Sequence, residues 1–71
     1  MWERFTDRAK SVIRNAKEEA VSRGHEYVRT EHLLIALCKE REGIAYKALE
    51  NLGVDIDLLI QELERKCGSG P

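Results

Sequence analysis

Apolar residues recur along the chain at the spacing of α-helices, in four segments separated by short polar or glycine-containing connections. The first segment carries one helical stripe of apolar side chains, which are Ala9, Val12, Ile13, Ala16 and Ala20. Thr6 is a good N-cap ahead of this stripe, and the carboxylate of Asp7 suits the positive end of a helix dipole. Gly24 suits the position just after a last turn. The pattern predicts helix 1 over residues 7–23.

The second segment, TEHLLIALC at residues 30–38, sets three polar residues against six apolar ones. Its apolar run is continuous, so periodicity does not separate helix from strand. Leu and Ala favour a helix, and Thr30 as N-cap followed by Glu31 suits a helix start. Because a helix that is apolar on every side needs neighbours on several sides, we expect helix 2 at the centre of the fold.

Two further helices follow at short intervals. The apolar face of helix 3 consists of Ile44, Ala45, Ala48, Leu49 and Leu52, and Gly53 ends it. Asp55 is a suitable N-cap for helix 4, whose apolar positions are Ile56, Leu59, Ile60, Leu63 and Cys67. The sequence therefore predicts an all-α, four-helix domain over residues 1–67, with residues 68–71 as a flexible tail or linker.

Composition and charge narrow the functional classes. The chain has 71 residues, with 12 Lys and Arg against 13 Asp and Glu, so its formal net charge is −1. This balance gives no basic footprint for nucleic acid or for an anionic membrane. The longest apolar run is far shorter than a membrane span, and the charged N-terminus lacks the apolar region of a signal peptide. We expect a protein of the reducing cytoplasm.

Motifs for catalysis are missing from the sequence. There is no phosphate-binding loop, no nucleophile elbow and no zinc-protease helix motif, so we expect neither an enzyme nor a cofactor. Glu18 and Glu19 are adjacent carboxylates that we assign to the solvated face of helix 1. Cys38 and Cys67, with the two histidines, could be considered zinc ligands, but their spacing matches no metal motif. We expect buried free thiols and no metal site.

The starts of helices 1 and 2 each allow two interpretations. Thr30 and Glu31 either only begin helix 2 and complement its dipole, or Glu31 also accepts two parallel hydrogen bonds from a ligand guanidinium. Thr6 either only caps helix 1, or joins the first free N–H groups of that helix in an anion pocket. Arg4 would add positive charge to such a pocket, and Trp2 would offer an aromatic binding surface.

The whole pattern of motifs resembles a known family. The matching residues are Arg4-Phe5-Thr6 with Ala9, Ala16 with Glu18-Glu19-Ala20, Gly24-His25, Thr30-Glu31-His32-Leu33-Leu34, Glu42-Gly43-Ile44-Ala45, and Lys47-Ala48-Leu49 with Leu52-Gly53-Val54. In this order and spacing they resemble the N-terminal repeat of the Clp ATPases, most closely of the ClpC type. The resemblance implies a four-helix repeat, half of the usual two-repeat domain.

The resemblance also implies a function. Such domains recruit substrate and adaptor proteins for a Clp unfoldase and protease, and those of the ClpC type bind phosphoarginine. Carried over by motif, Glu31 would hold the guanidinium, and Thr6 with the start of helix 1 would receive the phosphate. Two positions depart from the usual family pattern. Arg29 replaces a glycine and places a cation beside Glu31, and Arg41 replaces a glycine in the turn between helices 2 and 3.

Because only one repeat is present, we also expect a twofold homodimer in which each copy covers apolar surface of the other. Two interpretations from other classes stay open. The first is a small dimeric structural or regulatory helical protein that binds no peptide. The second is a helical nucleic-acid binder, which the near-neutral charge disfavours.

Overall fold

The computed structural model describes residue 3 and residues 5–68 of the chain. It contains four α-helices: α1 over Asp7–Ser22, α2 over Thr30–Lys39, α3 over Ile44–Asn51 and α4 over Ile56–Cys67. No strand occurs within the described part. The predicted all-α, four-helix fold is therefore confirmed. Helix 1 ends one residue earlier than predicted, because Arg23 is its C-cap.

Local signals set the ends of α1 and α4 as the sequence predicted. Thr6 Oγ1 accepts the Ala9 N–H at 3.1 Å, and the Asp55 carboxylate accepts the Leu58 N–H at 3.1 Å. Each bond satisfies an amide that has no partner inside its own helix. After α1 the chain turns at Gly24, where φ is 73° and a side chain would be strained.

The start of α2 differs from the prediction. Thr30 is the first helical residue, and Arg29 is the N-cap, with an extended backbone at φ −104° and ψ 170°. Arginine has no acceptor atom, so its side chain cannot cap the helix. Instead, His32 Nδ1 accepts the Arg29 backbone N–H at 2.7 Å. The side chain of the third helical residue therefore bonds back to the N-cap amide, and the predicted N-cap role of Thr30 was wrong.

Helix α2 packs against each of the other three helices, so its central position is as expected. These neighbours nevertheless cover only one face of α2. Its buried face consists of His32, Ile35, Ala36 and Cys38, whereas Leu33, Leu34 and Leu37 keep 37–39% of their surface exposed. The reason is that the four helices form a thin slab of 37 × 33 × 13 Å. In so thin a molecule the other helices leave one side of α2 uncovered.

The core between α1 and α2 is built from small side chains. Val12, Ala16 and Ala36 form its buried cluster, and the two alanines are fully inaccessible. Alanine at a helix contact lets two backbones approach closely, so this small core holds α1 against α2. Cys38 and Cys67 are buried free thiols, as predicted, and burial raises the pKa of the Cys38 thiol.

An ionic network joins three helices at one side of the slab. Arg23 Nη2 lies 2.9 Å from Glu64 Oε2, Arg23 Nε lies 3.2 Å from Glu19 Oε2, and Lys39 Nζ lies 2.6 Å from Glu19 Oε1. Burial by itself would raise the pKa of Glu19, but Lys39 and Arg23 together hold that pKa below its ordinary value. Glu19 was assigned wrongly to a solvated face, since only 15% of its side chain is exposed.

Candidate functional site

The start of α1 presents hydrogen-bond donors to solvent. The Ala9 and Lys10 amides bond to Thr6, so the amides of Asp7 and Arg8 precede the first bonds of the helix. The Thr6 hydroxyl accepts one bond and keeps its own hydrogen to donate. These donors are what an anion needs at a helix start. The Arg8 guanidinium lies 3.4 Å from the Glu42 carboxylate, and both side chains are exposed.

The start of α2 presents a carboxylate that is ionised at neutral pH. The pKa of Glu31 is lowered first by the residue's own backbone N–H and then by the Thr30 hydroxyl, which donates to Glu31 Oε1 at 3.0 Å. The charge of Arg29 lowers it further. Glu31 therefore offers a stable negative charge. Arg29, the neighbouring cation expected from the sequence, is thus close enough in the structure to lower the pKa of Glu31.

A groove of about 590 Å³ lies between α1, α2 and the start of α3. Its lining is mostly apolar and consists of Thr6, Arg8, Ala9, Val12, Ile13, Leu33, Leu37, Glu40, Gly43, Ile44 and Ala45. The structure thus brings Thr6 beside the exposed face of α2, whereas Glu31 is not among the lining residues. The sequence signal for this groove was the excess of apolar residues on α2 beyond one stripe, from which we had predicted only the central position of the helix.

The other predicted site residues, Arg4 and Trp2, lie outside the described residues. Their proposed contributions of charge and aromatic surface stay predictions from the sequence.

A buried cluster joins His25, His32 and Cys67, whose potential ligand atoms all lie within 4.8 Å of one another. Their spacing in the sequence gave no sign of this proximity, since the loop after α1 and the end of α4 meet only in the fold. His32 Nδ1 accepts the Arg29 N–H, so the proton of a neutral His32 ring must be on Nε2. That atom lies 2.7 Å from His25 Nδ1 and donates to it.

This protonation pattern does not suit a metal. A metal in the cluster would need a lone pair on His32 Nε2, yet the bond to Arg29 places a proton there. The donor geometry thus supports a hydrogen-bonded network, and the expected lack of a metal site stays a prediction.

Comparison with known proteins decides the family. The model of the Clp repeat (R) N-terminal domain matches residues 4–71. The chain belongs to this family. Over all 71 residues the Clp repeat is 51% identical to a probable ATP-dependent Clp protease ATP-binding subunit of Chlamydia pneumoniae. Over 70 residues it is 46% identical to the chaperone protein ClpB of Oceanobacillus iheyensis and 44% identical to the ATP-dependent Clp protease ATP-binding subunit ClpC of Staphylococcus aureus strain USA300.

The chain spans a small share of these relatives. It covers 8% of the Chlamydia protein and 9% of each of the other two, and 99–100% of its own length is matched. Among the described residues, no helix of this Clp repeat is long and apolar enough to cross a bilayer.

The two arginines that depart from the family pattern fit this Clp repeat without backbone strain. No non-glycine residue in the described part of the chain has a positive φ. Arg41 Nη2 approaches the Tyr46 hydroxyl at 3.4 Å, and its guanidinium lies 5.7 Å from the ring centroid. The turn itself closes through the Gly43 N–H and the Glu40 carbonyl at 3.0 Å. The turn between α2 and α3 therefore forms with arginine at position 41.

Proposed function

We propose that this Clp repeat is a docking module that binds substrate or adaptor proteins for a Clp-type ATPase. The observation that carries the proposal is the family match over residues 4–71. The relatives are named as ATP-binding subunits of Clp protease and as a chaperone, and this segment makes up less than a tenth of their length. A segment of this size is suited to binding, with ATP hydrolysis left to the rest of such a protein.

The ligand we propose for the module is phosphoarginine on a marked protein. The ionised Glu31 carboxylate matches the guanidinium, through charge-assisted bonds that are stronger than neutral ones. The Thr6 hydroxyl and the first amides of α1 match the phosphate. Arg4 and Trp2 stay part of the proposed site from the sequence alone. Two groups oppose this ligand: Arg29 repels its guanidinium, and Asp7 at the start of α1 repels its phosphate.

Calorimetric titration with free phosphoarginine tests the ligand. Glu31→Gln keeps the size of the side chain and removes its charge, so binding should weaken about tenfold or more. Glu18→Gln, on the exposed side of α1, is the matched control and should bind as the unaltered chain does. Free arginine and phosphoserine each lack one half of the ligand and should bind much less. Equal affinity in the Glu31→Gln and Glu18→Gln variants would refute the assignment of Glu31.

We further propose that the chain forms a twofold homodimer, and the thin slab supports this. The accessible surface is 5335 Å² for a chain of 8.2 kDa. A compact monomer of that mass exposes about 4500 Å². The Cα radius of gyration is 12.5 Å, whereas about 11 Å is typical of a compact domain of this length. The excess area is close to the ~800 Å² that each partner buries in a standard interface.

The apolar groove face is the surface that a second copy would cover. Leu33 and Leu37 are more than a third exposed along the groove, and Ile44 at its edge is 87% exposed. Glu31 does not line the groove, whereas Thr6 does. A second copy compatible with phosphoarginine binding must therefore cover Leu33, Leu37 and Ile44 and leave Thr6 open. A dimer would then carry two such carboxylates on one particle and strengthen binding to multiply marked proteins.

Sedimentation equilibrium over a range of concentrations tests the dimer. We expect a mass approaching twice 8.2 kDa at high concentration. Ile44→Glu should give a folded monomer, because the side chain is mostly exposed within one copy. Val21→Glu changes a residue that is 77% exposed on α1 and does not line the groove, so it should leave the dimer intact. A mass of one chain at every concentration would rule the dimer out. A dimer that binds no phosphoarginine, peptide or adaptor would favour the structural alternative.

A further inference from the structure

Three hydrogen bonds connect the end of α1 to the start of α2 through two buried imidazoles. The His25 backbone N–H donates to the Ala20 carbonyl at 2.9 Å, which closes the last turn of α1. His32 Nε2 lies 2.7 Å from His25 Nδ1, and the Arg29 N–H donates to His32 Nδ1 at 2.7 Å. The exposed fraction is 8% for His25 and 0% for His32. Water therefore cannot substitute for the bonds of His32.

Only one arrangement of protons satisfies these bonds. A backbone N–H is always a donor, so His32 Nδ1 must be unprotonated and His32 Nε2 must carry the hydrogen. His25 Nδ1 must then accept, which places the hydrogen of a neutral His25 on its own Nε2. Both rings are thus held as Nε2–H tautomers. Because the Arg29 amide can only donate, it determines which atom donates and which accepts in the bond between the two rings.

A second proton on His25 is incompatible with this arrangement. It would have to bind Nδ1, where it would oppose the Nε2–H of His32 across 2.7 Å. His32 could escape only by moving its hydrogen to Nδ1, and there the Arg29 N–H already points at the ring. The second proton therefore places two hydrogens in opposition either between the two rings or at the first turn of α2. This opposition can be relieved only by separating the rings or by releasing the Arg29 amide.

We propose that His25 and His32 are positioning residues for Glu31: while both rings are neutral their bonded pair holds the first turn of α2 in place, and a proton on His25 releases it. Glu31 lies between Arg29 and His32 in the sequence. The hydrogen bond from the Arg29 amide to His32 Nδ1 therefore links the backbone before Glu31 to the residue after it. The inference rests on the proposed role of Glu31 in docking.

The groups around His25 favour its neutral form. Burial is the main cause that lowers the pKa of His25, and the charge of Arg29, the His32 ring and the charge of Arg23 lower it further. Glu31 acts in the opposite direction and raises it. Cys67, from the end of α4, completes the surroundings as a buried thiol. His25 is thus neutral at neutral pH and takes up its second proton only as the solution becomes acidic.

Nuclear magnetic resonance of the intact chain with 15N-labelled histidine tests the arrangement directly. At about pH 7.5, above the ordinary pKa of histidine, both rings should appear as Nε2–H tautomers. Finding either ring mainly as the Nδ1–H tautomer would overturn the inference, because the bonds could not then run as described.

Amide hydrogen exchange tests whether the pair holds the first turn of α2. His25→Asn retains an acceptor near the position of Nδ1 but does not titrate, and His25→Leu removes the acceptor. We expect Arg29 in the unaltered chain to exchange about tenfold faster at pH 5.5 than at pH 7.5 after correction for intrinsic rates. The Asn variant should show no such change, and the Leu variant should exchange fast at both. Equal pH dependence in the unaltered chain and the Asn variant would overturn the inference.

Binding of phosphoarginine separates this inference from the proposed function. At any one pH the ligand has the same ionisation state with the unaltered chain and with His25→Asn. The ratio of the two affinities therefore reports only the difference between the two proteins. Between the two pH values the unaltered chain should lose about fivefold more affinity than His25→Asn. If Arg29 is released but the ratio stays constant, the link to Glu31 is wrong. If phosphoarginine binds to neither protein, the proposed ligand fails, and the tautomers and exchange rates still decide the positioning of the turn.

Discussion

Replacing Ile35 by alanine measures how far the stability of the fold depends on the buried face of α2. Ile35 is the largest fully buried side chain, with 0% exposure. The substitution removes three carbons, worth about 2.4 kcal/mol at about 0.8 kcal/mol per buried carbon. The cavity left behind adds to this loss, so we expect about 3–4 kcal/mol, within the measured range for such changes. A domain of this length has about 4–11 kcal/mol of stability, so the variant should be close to unfolding.

Leu34→Ala is the matched control on the same helix. It also removes three carbons, but Leu34 is 39% exposed, so only part of the transfer free energy is lost and no closed cavity forms. We expect a cost of about 1.5 kcal/mol. The difference between the two variants, about 2 kcal/mol, tests the assignment of one buried and one open face to α2.

Urea unfolding followed by circular dichroism provides the measurement. The slope with denaturant should be alike in both variants, so that the midpoints report stability. The experiment should be done at a concentration low enough for a dimer to dissociate. A second copy on the open face would increase the loss of stability caused by Leu34→Ala. Equal destabilisation by the two substitutions under those conditions would refute the one-sided burial of α2.

Three further predictions concern caps, charges and pH. Asp55→Ala should cost about 1 kcal/mol of stability, because the Leu58 amide loses its acceptor, and Asp55→Asn should cost much less; equal melting temperatures would contradict the cap. Arg23→Met should lower the melting temperature more at low salt than at high salt, since its partly buried bonds to two carboxylates are lost; no salt dependence would argue against the network. The pKa of His25 in the folded chain lies below its ordinary value, so below neutral pH the unfolded chain binds more protons than the folded one. The free energy of unfolding should therefore fall as the pH drops through about 6.5. His25→Asn should flatten that fall in thermal melts, and an unchanged slope would contradict the assignment.

The number, type and approximate ends of the helices could be predicted from the sequence. Their signals are local: Thr6 and Asp55 each cap an amide three residues ahead, and Gly24 allows the left-handed turn that ends α1. Such bonds depend on neighbours within one turn, so the residue order alone specifies them. The family could be predicted in the same way, because its motifs are ordered and closely spaced.

Tertiary structure alone decided which apolar and polar residues are covered. Periodicity could not show that the leucines of α2 stay open, since that depends on how the other three helices are arranged around α2. Glu19 became partly buried because Lys39 of α2 and Arg23 at the end of α1 bond to it, and Arg29 rather than Thr30 became the N-cap of α2. The bond between His25 and His32 needs the end of α1 and the first turn of α2 to be held together. These contacts depend on how the helices pack, and the hydrophobic pattern of each segment carries no information on the angle or depth at which its neighbours lie.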